Sequence, residues 1–230
     1  MRPGLTILMP TRDRPQQFLK AVKSAFEKSS LADKKLIEVL AYVDEDDPQL
    51  GVYKTLASDR VRFKYGPRVG GTTAVKVLAR ESDTEWMMFC ADDTKFETHA
   101  WDERIISAIP TDKVAVAFPQ DGRGDCLNHF ICHRKMLELT GIWPDIFWHF
   151  GADTYLSNVM KAVDRCILVK KVMVRHMKAK LGLSPMDTTY AEARRFTGRD
   201  KDAFDTAMRD LYERDVKILK DEIERCASIR

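Results

Sequence analysis

The residues best suited to chemistry are acids that close apolar runs. Trp86-Met87-Met88-Phe89-Cys90 is wholly apolar and leads directly to Ala91-Asp92-Asp93. A second run, from Leu36 to Val43, stops at Asp44-Glu45-Asp46-Asp47, and Leu5 to Met9 stops at Pro10-Thr11-Arg12-Asp13. A carboxylate pair on the turn after a buried strand can hold a hard divalent cation and leave positions for phosphate oxygens. An isolated Asp-Asp before Thr94 is equally suited to capping a helix. Acids on three strand ends facing one crevice repel one another unless a metal or cationic ligand joins them, which favours the cation reading.

Other clusters are weaker. Cys126, His129, Cys132 and His133 suggest zinc by composition. On a strand, however, His129 and His133 face one way and Cys132 the other, so the four cannot converge. Trp143, Phe147, Trp148, His149 and Phe150 form an aromatic group just before Asp153. Such rings stack on sugars or bases, or else pack a core. Arg165 to Lys201 carries ten Lys/Arg against three Asp/Glu, an excess of +7 in a chain of net charge +3, leaving −4 elsewhere.

The elements that must position these groups follow from periodicity. Leu5–Met9, Leu36–Val43, Val61–Tyr65, Trp86–Cys90, Val114–Phe118, Leu127–Cys132 and Ile167–Val174 read as strands. Helical spacing appears at Phe18, Val22 and Ala25, at Val75, Leu78 and Ala79, and over Thr154–Val163. Lys135–Leu139 reads as a short helix stopped by Gly141. This alternation predicts an α/β fold with a mixed, mainly parallel sheet flanked by helices, with chemistry at the carboxyl ends of its strands. Beyond Pro185, Phe204, Met208, Leu211, Tyr212, Val216, Leu219 and Ile223 mark a charged amphipathic helix packed back on the sheet. The expected organisation is a domain over 1–185 and a helical extension over 186–230.

The chain has 230 residues, 44% hydrophobic and 32% charged, enough for one substantial core and unlike a disordered chain. No apolar run approaches a membrane span, and the N-terminus lacks a signal-peptide pattern. Five cysteines, odd in number and without a C-x-x-C pair, suit a reducing cytoplasm. No feature marks an obligate protein partner.

Taken in order, these segments resemble the family 2 glycosyltransferases with the GT-A (Rossmann-like) fold, over roughly residues 5 to 180. Ile7 to Pro15 is similar to that family's opening strand and turn, and Asp44 falls where it holds the nucleotide base. Gly66 to Gly71 resembles its nucleotide-contacting segment, and Cys90-Ala91-Asp92-Asp93 falls at its D-x-D metal motif, trailed by a similar Trp101-Asp102 pair. Gly141 to Asp153 resembles the acceptor-side loop ending in the catalytic acid, and Val174-Arg175-His176 a late histidine near the metal. Ala91 departs from the pattern, replacing the first acid of the triplet, so that the ribose contact falls to Asp92.

The resemblance implies a nucleoside-diphosphate sugar as donor, UDP-sugar foremost, with Mn²⁺ or Mg²⁺. It implies donor contacts at Pro10, Thr11, Arg12, Asp44, Arg68, Gly71 and Asp92, and metal contacts at Asp93 and His176. Asp153 is then expected as the base of an inverting transfer, or as a cap of the helix it opens. A sugar nucleotidyltransferase would need a Gly-rich N-terminal loop, and Pro10 to Pro15 contains no Gly. A non-catalytic nucleic-acid-binding module would explain the cations but not the acids.

The basic stretch suits a polyanionic acceptor, since phosphate contacts dominate nucleic-acid affinity. Double-stranded DNA carrying hydroxymethylated pyrimidines is the acceptor expected, as for compact phage enzymes that glycosylate such DNA in the host cytoplasm; a glycan, protein or small-molecule hydroxyl is the alternative. Acceptor contacts are expected at Trp101, Trp148, Lys178, Lys180, Arg194 and Arg195.

Overall fold

The computed structural model describes residues 2–122, 127–177 and 187–229. The first half runs β1 (Arg2–Thr11), α1 (Pro15–Lys28), β2 (Ile37–Asp44), α2 (Leu50–Thr55), β3 (Val61–Gly66), α3 (Gly71–Glu81), β4 (Thr84–Phe89), β5 (Thr94–Phe96) and α4 (Trp101–Ile106). Then come β6 (Val116–Gln120), β7 (Phe130–His133), α5 (Lys135–Thr140), α6 (Ala152–Ala162) and β8 (Cys166–His176). After 187 follow α7 (Thr188–Ala193), a 3₁₀ turn at Arg194–Phe196, α8 (Thr197–Asp210) and α9 (Tyr212–Ala227).

These strands form one mixed sheet in the order β3-β2-β1-β4-β7-β6-β8-β5. β1 pairs in parallel with β2 and β4, and β2 with β3. β7 is inserted antiparallel between β4 and β6, while β8 runs parallel to β6 and then antiparallel to β5. Strand neighbours on both sides and helices on both faces explain why β1 is apolar almost throughout.

Alternate residues of β1 serve two cores. Leu5, Ile7 and Met9 face Phe18 and Val22 of α1 and Trp101 and Ile105 of α4. Leu8 faces Leu78 of α3 and Leu156 and Val159 of α6. Ala207 of α8 and Val216 and Leu219 of α9 belong to this second core. The expected single C-terminal helix is therefore two, broken at Leu211, preceded by the short α7. β5, α2 and α4 were absent from the periodicity because pieces of three to six residues carry too little of a pattern.

His129 and His133 flank β7 at opposite ends: the first lies against His176, at 4.7 Å between rings, and the second against Trp86, at 5.0 Å. Among the described residues no group of three or more His, Cys, Asp or Glu could hold a metal by itself. Cys126 lies outside the described residues. No helix among the described residues is long and apolar enough to cross a membrane.

Candidate active site

The parallel strands β1, β2 and β4 bring Thr11, Asp44 and the Asp92-Asp93 turn to one edge of the sheet. Past β1 the chain turns through Asp13, whose φ of 55° is left-handed and whose N–H donates to Asp47. Aspartate tolerates that conformation better than most residues. The turn throws Arg12 and Arg14 into the cleft from one strand end. Arg12 meets Asp44 at 3.0 Å and Asp46 at 2.5 Å. Arg14 is buried, its N–H donates to the Tyr53 hydroxyl, and its guanidinium reaches Asp92 at 3.3 Å.

Asp92 and Asp93 diverge. The Asp92 carboxylate accepts from the Thr11 hydroxyl at 2.8 Å and from Arg14. Burial pushes its carboxyl up to about 6, against the pull of Arg14. Asp93 points the other way. The antiparallel pair Thr94↔His176 sets His176 Nε2 3.0 Å from its carboxylate, and the Tyr190 hydroxyl of α7 donates to its other oxygen. Burial pushes Asp93 up as well, but the hydrogen bonds from His176 and Tyr190 more than offset this and hold it well below the carboxylate range. Oxygen and imidazole donors 3.0 Å apart are a donor set that Mn²⁺ accepts, so the residues fit a divalent ion completed by other ligands.

The opposite wall comes from the β3–α3 turn. Tyr42 donates to Pro67 O at 2.8 Å, fixing the segment that carries Arg68. Gly70 sits at φ 78°, and a Cβ there would lie 2.6 Å from Trp148 O and 2.7 Å from the indole. Glycine is required both by this close approach and by the backbone angle. The turn thereby interlocks with the 147–149 loop: Thr72 donates its hydroxyl to Phe147 O and its N–H to Trp148 O. From beneath, buried Asp200 of α8 accepts the N–H groups of Trp148, His149 and Phe150 at 2.8, 3.0 and 2.9 Å. His149 reaches the cleft wall, and burial lowers its imidazole so that the neutral ring is favoured near pH 7.

One cleft thus gathers Pro10, Thr11, Arg12, Asp44, Arg68, Gly71 and Asp92, the seven residues expected at a donor site. Asp93 and His176 lie beside it under Tyr190. Arg14, Tyr42, Gly70, His149 and Thr189 also border it. Tyr42 and Thr189 were not anticipated; Arg14, Gly70 and His149 fell within the opening turn, the Gly66–Gly71 segment and the aromatic group without being named as donor contacts.

The acceptor expectations fare unevenly. Trp101 must be corrected: it is fully buried, donates its indole N–H to Ala25 O at 3.0 Å and packs on Phe96, so it offers no face to an acceptor. Its neighbour Asp102 is equally buried and caps the turn after α1 through Ser30 and Leu31. Trp148 is partly covered by Phe196 and by the Arg199 guanidinium, 4.7 Å from its ring. Arg194 and Arg195 are exposed beside Phe196. Lys178 and Lys180 lie outside the described residues. Asp153 opens α6 half-buried, outside the cleft lining, with its carboxylate accepting from Thr154 N at 2.8 Å.

This mixed, mainly parallel sheet flanked by helices matches the GT-A fold of glycosyltransferases. The chain belongs to glycosyl transferase family 2, whose profile matches residues 6–177. Comparison with curated proteins by sequence finds no match. Among solved structures it is similar to Staphylococcus aureus TarS, residues 1–349, at TM-score 0.56 and 11% identity, covering 90% of this chain and 72% of that one. It is similar to the mannosyltransferase PcManGT from Pyrobaculum calidifontis, solved with GDP-mannose and Mn²⁺, at TM-score 0.62 and 12% identity, covering 99% and 76%. GalNAc-T7, solved with UDP, GalNAc and Mn²⁺, gives TM-score 0.66 at 13% identity, covering 95% of this chain but 55% of that one.

Proposed function

We propose that this chain is a divalent-metal-dependent, inverting glycosyltransferase that moves a sugar from a nucleoside-diphosphate sugar, UDP-sugar foremost, to an acceptor hydroxyl. The observation that carries this reading is the convergence of Arg12, Arg14 and Arg68 with Asp44, Asp92 and Asp93 at the carboxyl ends of parallel strands. Two similar structures hold nucleotides and Mn²⁺, which supports the donor class and the metal.

Asp93 and His176 would hold the metal, which supplies positive charge to the departing diphosphate. Asp44 and Arg12 face the base with one acceptor and one donor, Arg68 borders the phosphate side, and Asp92 takes the ribose. Asp153 is the base that removes the acceptor hydroxyl's proton as its oxygen attacks the anomeric carbon.

The acceptor in this reading is a hydroxymethylated pyrimidine in double-stranded DNA, in a cytoplasm. Exposed Arg194 and Arg195 beside Phe196 and Trp148, with Phe150 at 42% exposure, support it as cations next to rings able to receive a base. The test offers labelled nucleotide sugar with unmodified DNA, hydroxymethylpyrimidine DNA and simple glycans. Label entering only hydroxymethylated DNA agrees with the proposal; label entering only a glycan ends the DNA assignment and leaves the transferase.

A further inference from the structure

Every cation of the cleft has a partner drawn from one short segment far along the chain. Arg14, with its side chain 7% exposed, is gripped in a two-point fork by the Asp187 carboxylate, both contacts at 2.6 Å. The Tyr190 ring lies 4.2 Å from the same guanidinium, while the Tyr190 hydroxyl caps Asp93. Thr189 donates to Arg12 O at 3.1 Å. Glu192 pairs with Arg68 and stands 3.9 Å from Arg12. Two carboxylates therefore sit on the three arginines of the cleft, and a hydroxyl sits on the acid beside it.

A carboxylate in the fork of a guanidinium has the geometry of a phosphate in the same fork. A buried guanidinium must be paired, and Asp92 alone meets Arg14 at only 3.3 Å. Asp187 makes the closer, two-point contact, and it is 31% exposed in its side chain, so it can leave for water at low cost where Arg14 cannot. Asp93 is 4% exposed with Tyr190 across it, so no ion reaches it while that contact stands. The segment imitates the donor in charge and in place: anionic oxygens on the arginines, and a ligand on the metal-binding acid.

We propose that Arg14 is a diphosphate-binding residue, and that the Asp187–Glu192 segment holds Arg14 and Asp93 in the donor-free protein and competes with the donor for them. The inference rests on the donor reading above. It adds a residue that the family resemblance did not supply and gives the C-terminal segment a restraining role. Affinity for donor is then what remains after the segment is displaced, and weakening the segment strengthens binding.

Calorimetry on the full chain tests this with Mn²⁺ alone and with UDP, GDP, CDP and ADP in the presence of Mn²⁺. Asp187→Asn keeps the size and the cap on Tyr190 N but loses the charge on Arg14. Tyr190→Phe keeps the ring on Arg14 and loses only the hydroxyl on Asp93. The expected result is nucleotide binding about tenfold tighter in Asp187→Asn, the worth of a charge-assisted hydrogen bond removed from the competing state. Mn²⁺ binding should tighten in Tyr190→Phe. Arg14→Lys, which retains charge without the fork, should weaken nucleotide binding and leave Mn²⁺ binding unchanged. If the wild type binds a nucleotide and Asp187→Asn and Tyr190→Phe bind it equally or more weakly, the segment completes the site instead, and the inference is overturned while the donor reading stands. If neither the wild type nor any variant binds any of the four nucleotides, the donor reading falls and takes this inference with it.

Discussion

Asp92 and Asp93 are neighbours in the chain, and burial acts on both, yet they end with opposite acid strengths. Asp92 turns toward Thr11 and Arg14 and is still pushed up to about 6; Asp93 turns toward His176 and Tyr190 and is held low. In the proposed reading Asp93, held low beside His176, is the metal contact and Asp92 the ribose contact. Asp153 has a different character: it lies half-buried in the first turn of α6, whose N-cap is Gly151, and its carboxylate accepts from Thr154 N, so the expected capping role is not what it plays. Asp153→Asn retains that hydrogen bond and loses proton-accepting power. Turnover should fall by about 10²- to 10⁴-fold with nucleotide affinity and unfolding midpoint unchanged. Steady-state kinetics beside calorimetry measure this, and a fully active variant would leave Asp153 as a first-turn acid favoured only by the helix dipole. The Asp92-Asp93 pair was legible because a wholly apolar strand ran into it. Trp101 was misread because an aromatic-acid pair looks the same in a sequence whether it meets ligand or core. Its hydrogen bond to Ala25 and packing on Phe96 are tertiary facts with no local trace.

At the scale of elements, two devices hold the strand ends in place. Glu38 of β2 stitches three strands: it accepts from Thr6 of β1 at 3.0 Å and from Arg62 of β3 at 3.0 Å, and pairs with Arg2 at 2.8 Å. Burial pushes its carboxyl up, but the hydrogen bonds from Arg2, Arg62 and Thr6 outweigh that and hold it below the usual glutamate range. A carboxyl lowered in the folded state stabilises at neutral pH and loses that contribution as pH falls below about 4.3, the unfolded value, through its folded one. Glu38→Gln should therefore be less stable than wild type at pH 7, with the gap closing toward pH 3, as read by urea unfolding across that range. The second device is the Gly70 turn against Trp148. Gly70→Ala should cost about 1–3 kcal/mol in urea unfolding, because the left-handed angle and the clash with Trp148 O add together, and should weaken nucleotide binding at the same time. The parallel strands were legible from their apolar runs, and α3 and α6 from their glycine-led starts. The roles of α7 and α8 were not, because Asp187, Tyr190 and Asp200 act on residues from 50 to 173 positions away.

For the molecule as a whole, charge and topology agree. The −4 of the remaining chain includes the acids at the sheet edge, whereas the described cations of the +7 stretch are carried mainly by β8, the 3₁₀ turn and the start of α8. If the exposed cations track a nucleic-acid backbone, Arg194→Glu with Arg195→Glu should weaken binding to DNA and flatten its dependence on salt, since each phosphate contact releases counterions. Fluorescence anisotropy over a salt series reads both. An unchanged slope would make these arginines a solvated face. α8 and α9 close the core through Ala207, Val216 and Leu219, whereas Arg194 and Arg195 stand on the 3₁₀ turn before them, which buries no residue.

Nucleotide release tests most directly a donor site for a nucleotide sugar built around Asp93. Purified chain is incubated with UDP-, GDP-, CDP- and ADP-sugars and Mn²⁺, with and without EDTA, and free nucleoside diphosphate is quantified for wild type and Asp93→Asn. Such a site predicts release from one of these donors, abolished by EDTA and by the substitution. Equal release in EDTA, or full release by Asp93→Asn, would contradict it, as would no release from any of the four.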